Sequence, residues 1–185
     1  PDTLVNEGRG YNVGVELTIQ KYFSNNWHAM VTGSIYDSKY TPSDGIERST
    51  NYNGGFALNF LAGKEFVFKD KNTIGIGTKI TTAGGQRYGD VDTVASAFQG
   101  EVIYLNENYN KYQFQNYFRA DLKITYKRNA TKSTHEIGLD LVNLLGTQNI
   151  LSLSYAPVPG NTSANPIRTN YQLGFLPLFY YRIDF

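Results

Sequence analysis

Side chains able to do acid-base or ligand chemistry are few in this sequence. There are two histidines, His28 and His135, and no cysteine in 185 residues. Each histidine lies in a run that alternates apolar with polar residues. The alternation puts His28 on the polar side of its run and His135 on the apolar side. A Ser-His-acid triad or a two-histidine metal site needs its members within bonding distance, so neither is expected. Gly75-Ile76-Gly77 lacks the strand-to-helix context of a phosphate loop. The residues therefore point to no enzyme, no cofactor and no metal.

What remains is charge and aromatic rings. Arg119, Asp121 and Lys123 form a mixed-sign row between Phe118, Ala120, Leu122 and Ile124. Glu16, Lys79, Glu136 and Asp140 fall in the same polar phase of their own segments. The plain role for such residues is a solvated lining, or ion pairs between neighbouring strands. Their functional role would be contact with a domain held inside. Arg119 and Asp121 are the best placed for that role. Arg87, Tyr88 and Tyr104 lie in or beside the longest polar stretch, residues 83–115. Arginine offers forked donors to carboxylate or phosphate, and tyrosine a stacking face. These three are the candidate ligand contacts, against the alternative of an ordinary solvated loop.

The elements that must hold these residues are strands. Period two dominates residues 10–23, 27–40, 54–68, 73–82 and 117–126, and no helical period is evident. A sixth strand starts at residue 133 and is expected to run brokenly to 155. A seventh covers residues 170–185. In the third strand Lys64 interrupts an apolar face, and a bulge near Gly63 would rotate it away. A short strand-like piece, residues 102–105, interrupts the long polar stretch. The connections alternate short and long: turns at Asn25, Asp70 and Asn129, loops at Asp44, Asp90 and Asn161.

The spans of about 10–15 residues match what a tilted membrane strand requires. The expected fold is thus all-β: an antiparallel transmembrane β-barrel with one face to outer-membrane lipid and one to a polar lumen. Composition agrees. Aromatics make up 15% of the chain, with 15 Tyr and 11 Phe, while mean hydropathy is −0.40. Averaging a lipid face with a lumen face gives such a value, and Tyr suits the membrane-water boundary. A formal charge of +1 speaks against nucleic acid as a partner. A soluble β-sandwich would account for any one strand, but gives no reason for alternating loop lengths. In bacterial outer-membrane barrels the tight turns face the periplasm, which also places the C-terminus there.

Phe175, Pro177, Phe179, Tyr181, Ile183 and Phe185 share one face of the last strand. Such a strand, ending in Phe, resembles the signal read by the barrel-assembly machinery, with Phe179, Tyr181, Ile183 and Phe185 as its residues. Further segments resemble the C-terminal barrel portion of TonB-dependent outer-membrane receptors of the Bacteroidetes style. They are Gly8-Arg9-Gly10-Tyr11-Asn12-Val13-Gly14-Val15-Glu16, Gly63-Lys64-Glu65-Phe66, Gly84-Gly85-Gln86-Arg87-Tyr88, Tyr117-Phe118-Arg119-Ala120-Asp121-Leu122-Lys123 and Leu141-Val142-Asn143-Leu144-Leu145, with the closing Tyr171-Gln172-Leu173-Gly174-Phe175. Their order and spacing carry the likeness across almost the whole chain.

The resemblance implies a 22-stranded barrel with a plugged lumen. Residues 1–185 would supply about seven of its C-terminal strands, with the plug domain and signal peptide outside this sequence. It implies energised uptake of a scarce ligand such as an iron-siderophore complex. The expected partners are the plug, which Arg119, Asp121 and Lys123 would face, TonB, and the assembly machinery. A glycan-uptake receptor with a surface lipoprotein partner is one alternative. A small non-transporting barrel with a structural or adhesive role is another.

Overall fold

Alternating β-branched, aromatic and polar residues can separate their two faces only on an extended backbone. The computed structural model describes residues 7–69, 71–161 and 164–185. In chain order the strands are β1 (Arg9–Ser24), β2 (Trp27–Thr41), β3 (Arg48–Ser49), β4 (Phe56–Phe68), β5 (Asn72–Ala83), β6 (Arg87–Tyr88), β7 (Tyr112–Gln113), β8 (Tyr117–Asn129), β9 (Thr134–Val142), β10 (Ile150–Tyr155), β11 (Ile167–Tyr171) and β12 (Leu176–Asp184). One helix, α1 (Thr93–Gln99), and a 3-10 turn, Asn106–Asn108, lie between β6 and β7.

Seven long strands make one antiparallel sheet in the order β1-β2-β4-β5-β8-β9-β12, a plain up-and-down meander. Three tight connections lie at one end of this sheet, and three long ones at the other. At the β1–β2 turn, Asn25 and Asn26 have φ of 52° and 61°. Two consecutive left-handed residues make the type I′ geometry that matches strand twist, and asparagine tolerates it. The turn expected around Asp70 includes a residue outside those described.

Register fixes which residues share a face. One row runs across the sheet through Trp27, Lys64, Ile76, Ile124, Leu139 and Phe179. The turn of β1–β2 begins at this row, whereas β4, β5 and β8 continue past it toward Phe68, Asn72 and Asn129. The strand ends are therefore stepped relative to the hydrogen-bond rows. The main apolar positions of the alternation land on one face, with Leu17, Val31, Phe60, Ile76, Leu122, Leu139 and Phe179 standing for their strands, while Met30, Leu61, Leu176 and Leu178 fall on the other. His28, Lys79, Asp121, Lys123, Glu136 and Asp140 stand on the other.

The packing that results is unusual. Among the described residues no hydrophobic side chain is buried, and the buried polar side chains are Asn53, Ser96, Asn110, Asn143 and Asn149. Val15, Leu17, Ile19 and Phe179 are each more than 60% exposed. A sheet with one apolar face and no second layer over it has no conventional core.

Several expectations are corrected. There is no bulge at Gly63: pairing runs unbroken through Gly63 and Lys64 to both neighbours. Lys64 stays on the apolar face, with its ammonium 5.3 Å from the centre of the Phe66 ring. The sixth strand does not reach Tyr155 within the sheet, because the chain leaves it after Val142 and β10 pairs with β11 as a separate hairpin. The seventh is likewise split: β11 belongs to that hairpin, and only β12 belongs to the sheet. Residues 102–105 form a single bridge, Val91 to Tyr104, rather than a strand.

A helix is present where none was expected. Asp92 caps it, accepting from the backbone N–H of Val94 and Ala95, and Gly100 ends it at φ 73°. Those two residues are a start and stop signal, but seven residues are too few to display a 3.6-residue period.

Candidate functional site

Two polar regions could act on other molecules: the polar face of the sheet, and the layer of long connections at one end.

On the polar face, charges meet across strands as strand phase dictates. Lys123 pairs with Asp140 at 3.4 Å, and Lys127 with Glu136 at 3.6 Å, each with the residue directly opposite on β9. The Tyr180 hydroxyl donates to Glu136 at 2.7 Å, and the Lys123 ammonium lies 4.7 Å from the centre of the Tyr180 ring. These contacts join β8, β9 and β12 into one network. Arg119 turns to Asp121 on its own strand, at 2.7 Å. The other Asp121 oxygen accepts from the Asn143 backbone N–H at 2.9 Å. Asp121, Lys123, Asp140, Lys79 and His28 line one open depression of about 330 Å³. Of the three expected inward-facing residues, Asp121 and Lys123 share this depression, and Arg119 reaches it only through its bond to Asp121.

Glycine shapes this face. A Cβ on Gly138 would stand 2.0 Å from the Tyr180 ring, and one on Gly63 2.4 Å from the His28 ring. Each ring lies flat over a cross-strand glycine, which holds Tyr180 within reach of Glu136. Gly138→Ala is expected to lift the ring and break that hydrogen bond. Overpacking of this kind costs about 1–3 kcal/mol. Urea unfolding of the purified protein would measure it, and Tyr180→Ala combined with Gly138→Ala should recover part of the loss.

At the other end, the long connections are tied together by side chains bonding to distant backbone. Arg87 donates from Nε to the Asn53 carbonyl at 2.9 Å, and its N–H donates to the Asn51 carbonyl at 2.8 Å. Asn110 Nδ2 donates to the Ser49 carbonyl, and Gln113 Nε2 to those of Gly54 and Gly85. Arg48 pairs with Asp44 at 2.7 Å and donates to the Asn106 carbonyl at 3.0 Å. The 42–55 and 84–116 connections thus form one layer. Asn149 serves as a surrogate strand, accepting from the Phe118 N–H and donating to the Phe118 carbonyl, both at 2.9 Å.

The Ile46 N–H and Arg48 hold the Asp44 carboxyl below its ordinary 3.8. A depressed folded-state value gives support that is present above the ordinary value and lost as pH falls through the folded one. The protection factor of the Ile46 amide, its exchange rate relative to the free peptide at the same pH, is therefore expected to fall on acidification below 3.8. Asp44→Ala, which removes the acceptor, should show the lowered protection at neutral pH as well.

This layer forms an open cavity of about 320 Å³. Arg87 and Tyr104 line it, with Tyr109, Phe114 and Tyr155 as further rings and Asn51, Gln86, Glu101 and Ser152 as polar groups. Tyr88 stands just outside, stacked on Phe114 with ring centres 4.3 Å apart. Burial pushes the Tyr104 hydroxyl above its ordinary value, reinforced by Tyr109, whose ring meets it edge-on at 5.8 Å. The three candidate ligand residues are thus brought to one cavity, two in its wall and one behind it.

Sequence reasoning missed Tyr109, Asn110 and the β10 wall, residues 151–155. Only Asn110 carried a signal, as an asparagine in a turn with φ 59°. His28 and His135 stand on opposite faces, the latter between Ser133 and Tyr181 at 2.9 and 2.6 Å. Among the described residues no group of acidic or histidine side chains is arranged to hold a metal ion. Comparison with protein-family models, with curated proteins and with solved structures finds no match to this chain.

Proposed function

We propose that the chain is part of an outer-membrane β-barrel belonging to a TonB-dependent transporter, which takes up a scarce ligand such as an iron-siderophore chelate. The observation that carries the membrane part is the absence of any buried hydrophobic side chain among the described residues, together with a sheet of seven long strands whose apolar residues fall mainly on one face. Keeping apolar surface in water costs about 25 cal/mol per Å². Lipid removes that cost, while period two keeps the other face polar. The stepped strand ends fit strands tilted in a barrel wall. Within the described residues, β1 and β12 each have a sheet neighbour on one side only, and further barrel strands would pair with those edges.

The transport part rests on the resemblance of the ordered segments to TonB-dependent receptors. In support, a cavity-bearing layer lies at the end opposite the tight turns. On this reading that layer faces outside and Phe185 lies in the periplasm. The plug would face Asp121 and Lys123, and the assembly machinery would read Phe179, Tyr181, Ile183 and Phe185. One observation favours the glycan alternative: rings beside amide, hydroxyl and carboxyl groups in the outer cavity suit stacking on a sugar and bonding to its hydroxyls.

Uptake of radiolabelled iron from ferric siderophores, in cells with and without the gene and with and without TonB, tests the proposal. Uptake is expected to fall to background in both deletions. Unchanged iron uptake with lost growth on an oligosaccharide would transfer the reading to glycan. No change in either would overturn the transport reading.

A further inference from the structure

The two rims of the apolar face differ in charge. At the long-connection end the face carries Asp37 and Lys39, and Lys39 is neutralised by Asp37 at 3.5 Å and Glu47 at 3.3 Å. At the tight-turn end it carries Lys21, Lys64, Arg128 and His135, interleaved with Trp27, Phe66, Tyr126 and Tyr181. No side-chain carboxylate stands on this face at that end among the described residues.

The geometry there is specific. Lys21 holds its ammonium 4.0 Å from the centre of the Trp27 ring. It is fixed there by donating to Ser24 Oγ at 2.8 Å and to the Ser24, Trp27 and Tyr22 carbonyls at 3.1, 3.2 and 3.3 Å. Neutral partners leave its charge uncancelled. Lys64 stands directly opposite Trp27 on the next strand, and neither it nor Arg128 makes an ion pair or hydrogen bond within the described residues. One ammonium therefore rests on the indole, and a second basic residue stands opposite it on the next strand with its ammonium toward Phe66, at the level where β1 and β2 turn. Aromatic rings settle at that depth in a membrane, and long basic side chains reach from it to the headgroups.

We propose that Lys21 and Lys64, with Trp27 between them, bind the phosphate of an anionic phospholipid in the leaflet on the tight-turn side. Arg128 extends the same basic rim. This inference rests on the membrane reading above and adds a lipid preference to it. Net positive charge without a carboxylate attracts phosphatidylglycerol-type headgroups over zwitterionic ones, and the attraction weakens with salt.

Trp27 is the one tryptophan of this chain and can report the bound lipid. The complete protein, with any tryptophan outside this chain replaced by phenylalanine, is reconstituted in phosphatidylcholine vesicles. Each preparation contains the same fraction of either brominated phosphatidylglycerol or brominated phosphatidylcholine. Quenching by the brominated phosphatidylglycerol is expected to be about twofold stronger or more. Lys64→Gln should narrow that ratio, and Lys64→Glu should bring it to one or below. Equal quenching by the two lipids, or a preference that both variants leave unmoved, overturns the proposal. No quenching by either lipid overturns the membrane reading, and the proposal with it.

Discussion

If the chain lies in the outer membrane as proposed, replacing Leu122 with arginine is expected to remove most of the folded protein from it, whereas replacing the adjacent Lys123 with glutamine leaves it there. Leu122 lies near the middle of β8 on the apolar face, opposite Thr78 on β5 and Leu141 on β9. A guanidinium placed on the lipid face near mid-bilayer costs about 2–4 kcal/mol. That corresponds to roughly thirtyfold or more in the folded-to-unfolded ratio. Lys123 points the other way, and its side chain is 49% exposed while paired with Asp140. A half-exposed ion pair contributes about 0–1 kcal/mol, so its loss should be nearly silent. Cell fractionation with heat-modifiability on a gel reads both variants. Equal tolerance of the two would refute the assignment of faces, and with it the placement of Asp121 and Lys123 toward a lumen.

The second large effect is expected at Asn143, where the chain leaves the sheet. Its side chain is 1% exposed and its φ is 51°. Nδ2 donates to the Thr147 carbonyl at 2.9 Å and to the Leu173 carbonyl at 3.3 Å, while Oδ1 accepts from the Thr147 N–H at 3.1 Å. One amide thus closes the turn after β9 and ties it to the segment that leads into β12. Asn143→Ala leaves these groups unpaired at about 1–3 kcal/mol each and adds a left-handed backbone penalty of about 1–2 kcal/mol. Asn143→Gly removes the second cost but keeps the first. Denaturant unfolding should therefore rank stability as Asn, then Gly, then Ala, with the alanine variant down by at least about 3 kcal/mol. If the alanine and glycine variants prove as stable as the native protein, the amide does not hold this junction.

Sequence and tertiary structure divided the work unevenly. Alternation along residues 117–126 determined that Arg119, Asp121 and Lys123 share a face and that Leu122 stands on the other. The Asn25-Asn26 pair determined a tight hairpin. Both are local facts: period two records the side on which each residue stands, and a turn type depends on the φ of two neighbours. Alternation fails where a charge serves the apolar face. Lys64 seemed to require a bulge because the pattern carries no depth coordinate. Only register shows that it stands opposite Trp27, the first residue of β2, where the β1–β2 turn begins.

The same limit explains the split of the last strands and the outer cavity. Residues 133–155 read as one strand with breaks and residues 170–185 as one strand, because a hairpin outside the sheet and a strand inside it share the same period. The Asn143 turn and the β10–β11 pairing decide which is which. The cavity that brings Arg87 to Tyr104 is built by Arg87, Asn110 and Gln113 donating to carbonyls of Asn53, Ser49 and Gly54, each more than thirty residues away. Such bonds leave no periodic trace, since any carbonyl of any residue accepts them. The chain thus wrote its two faces and its tight turns into the local order of residue types. The contacts between its long connections, and with them the shape a ligand would meet, were decided only when distant segments met.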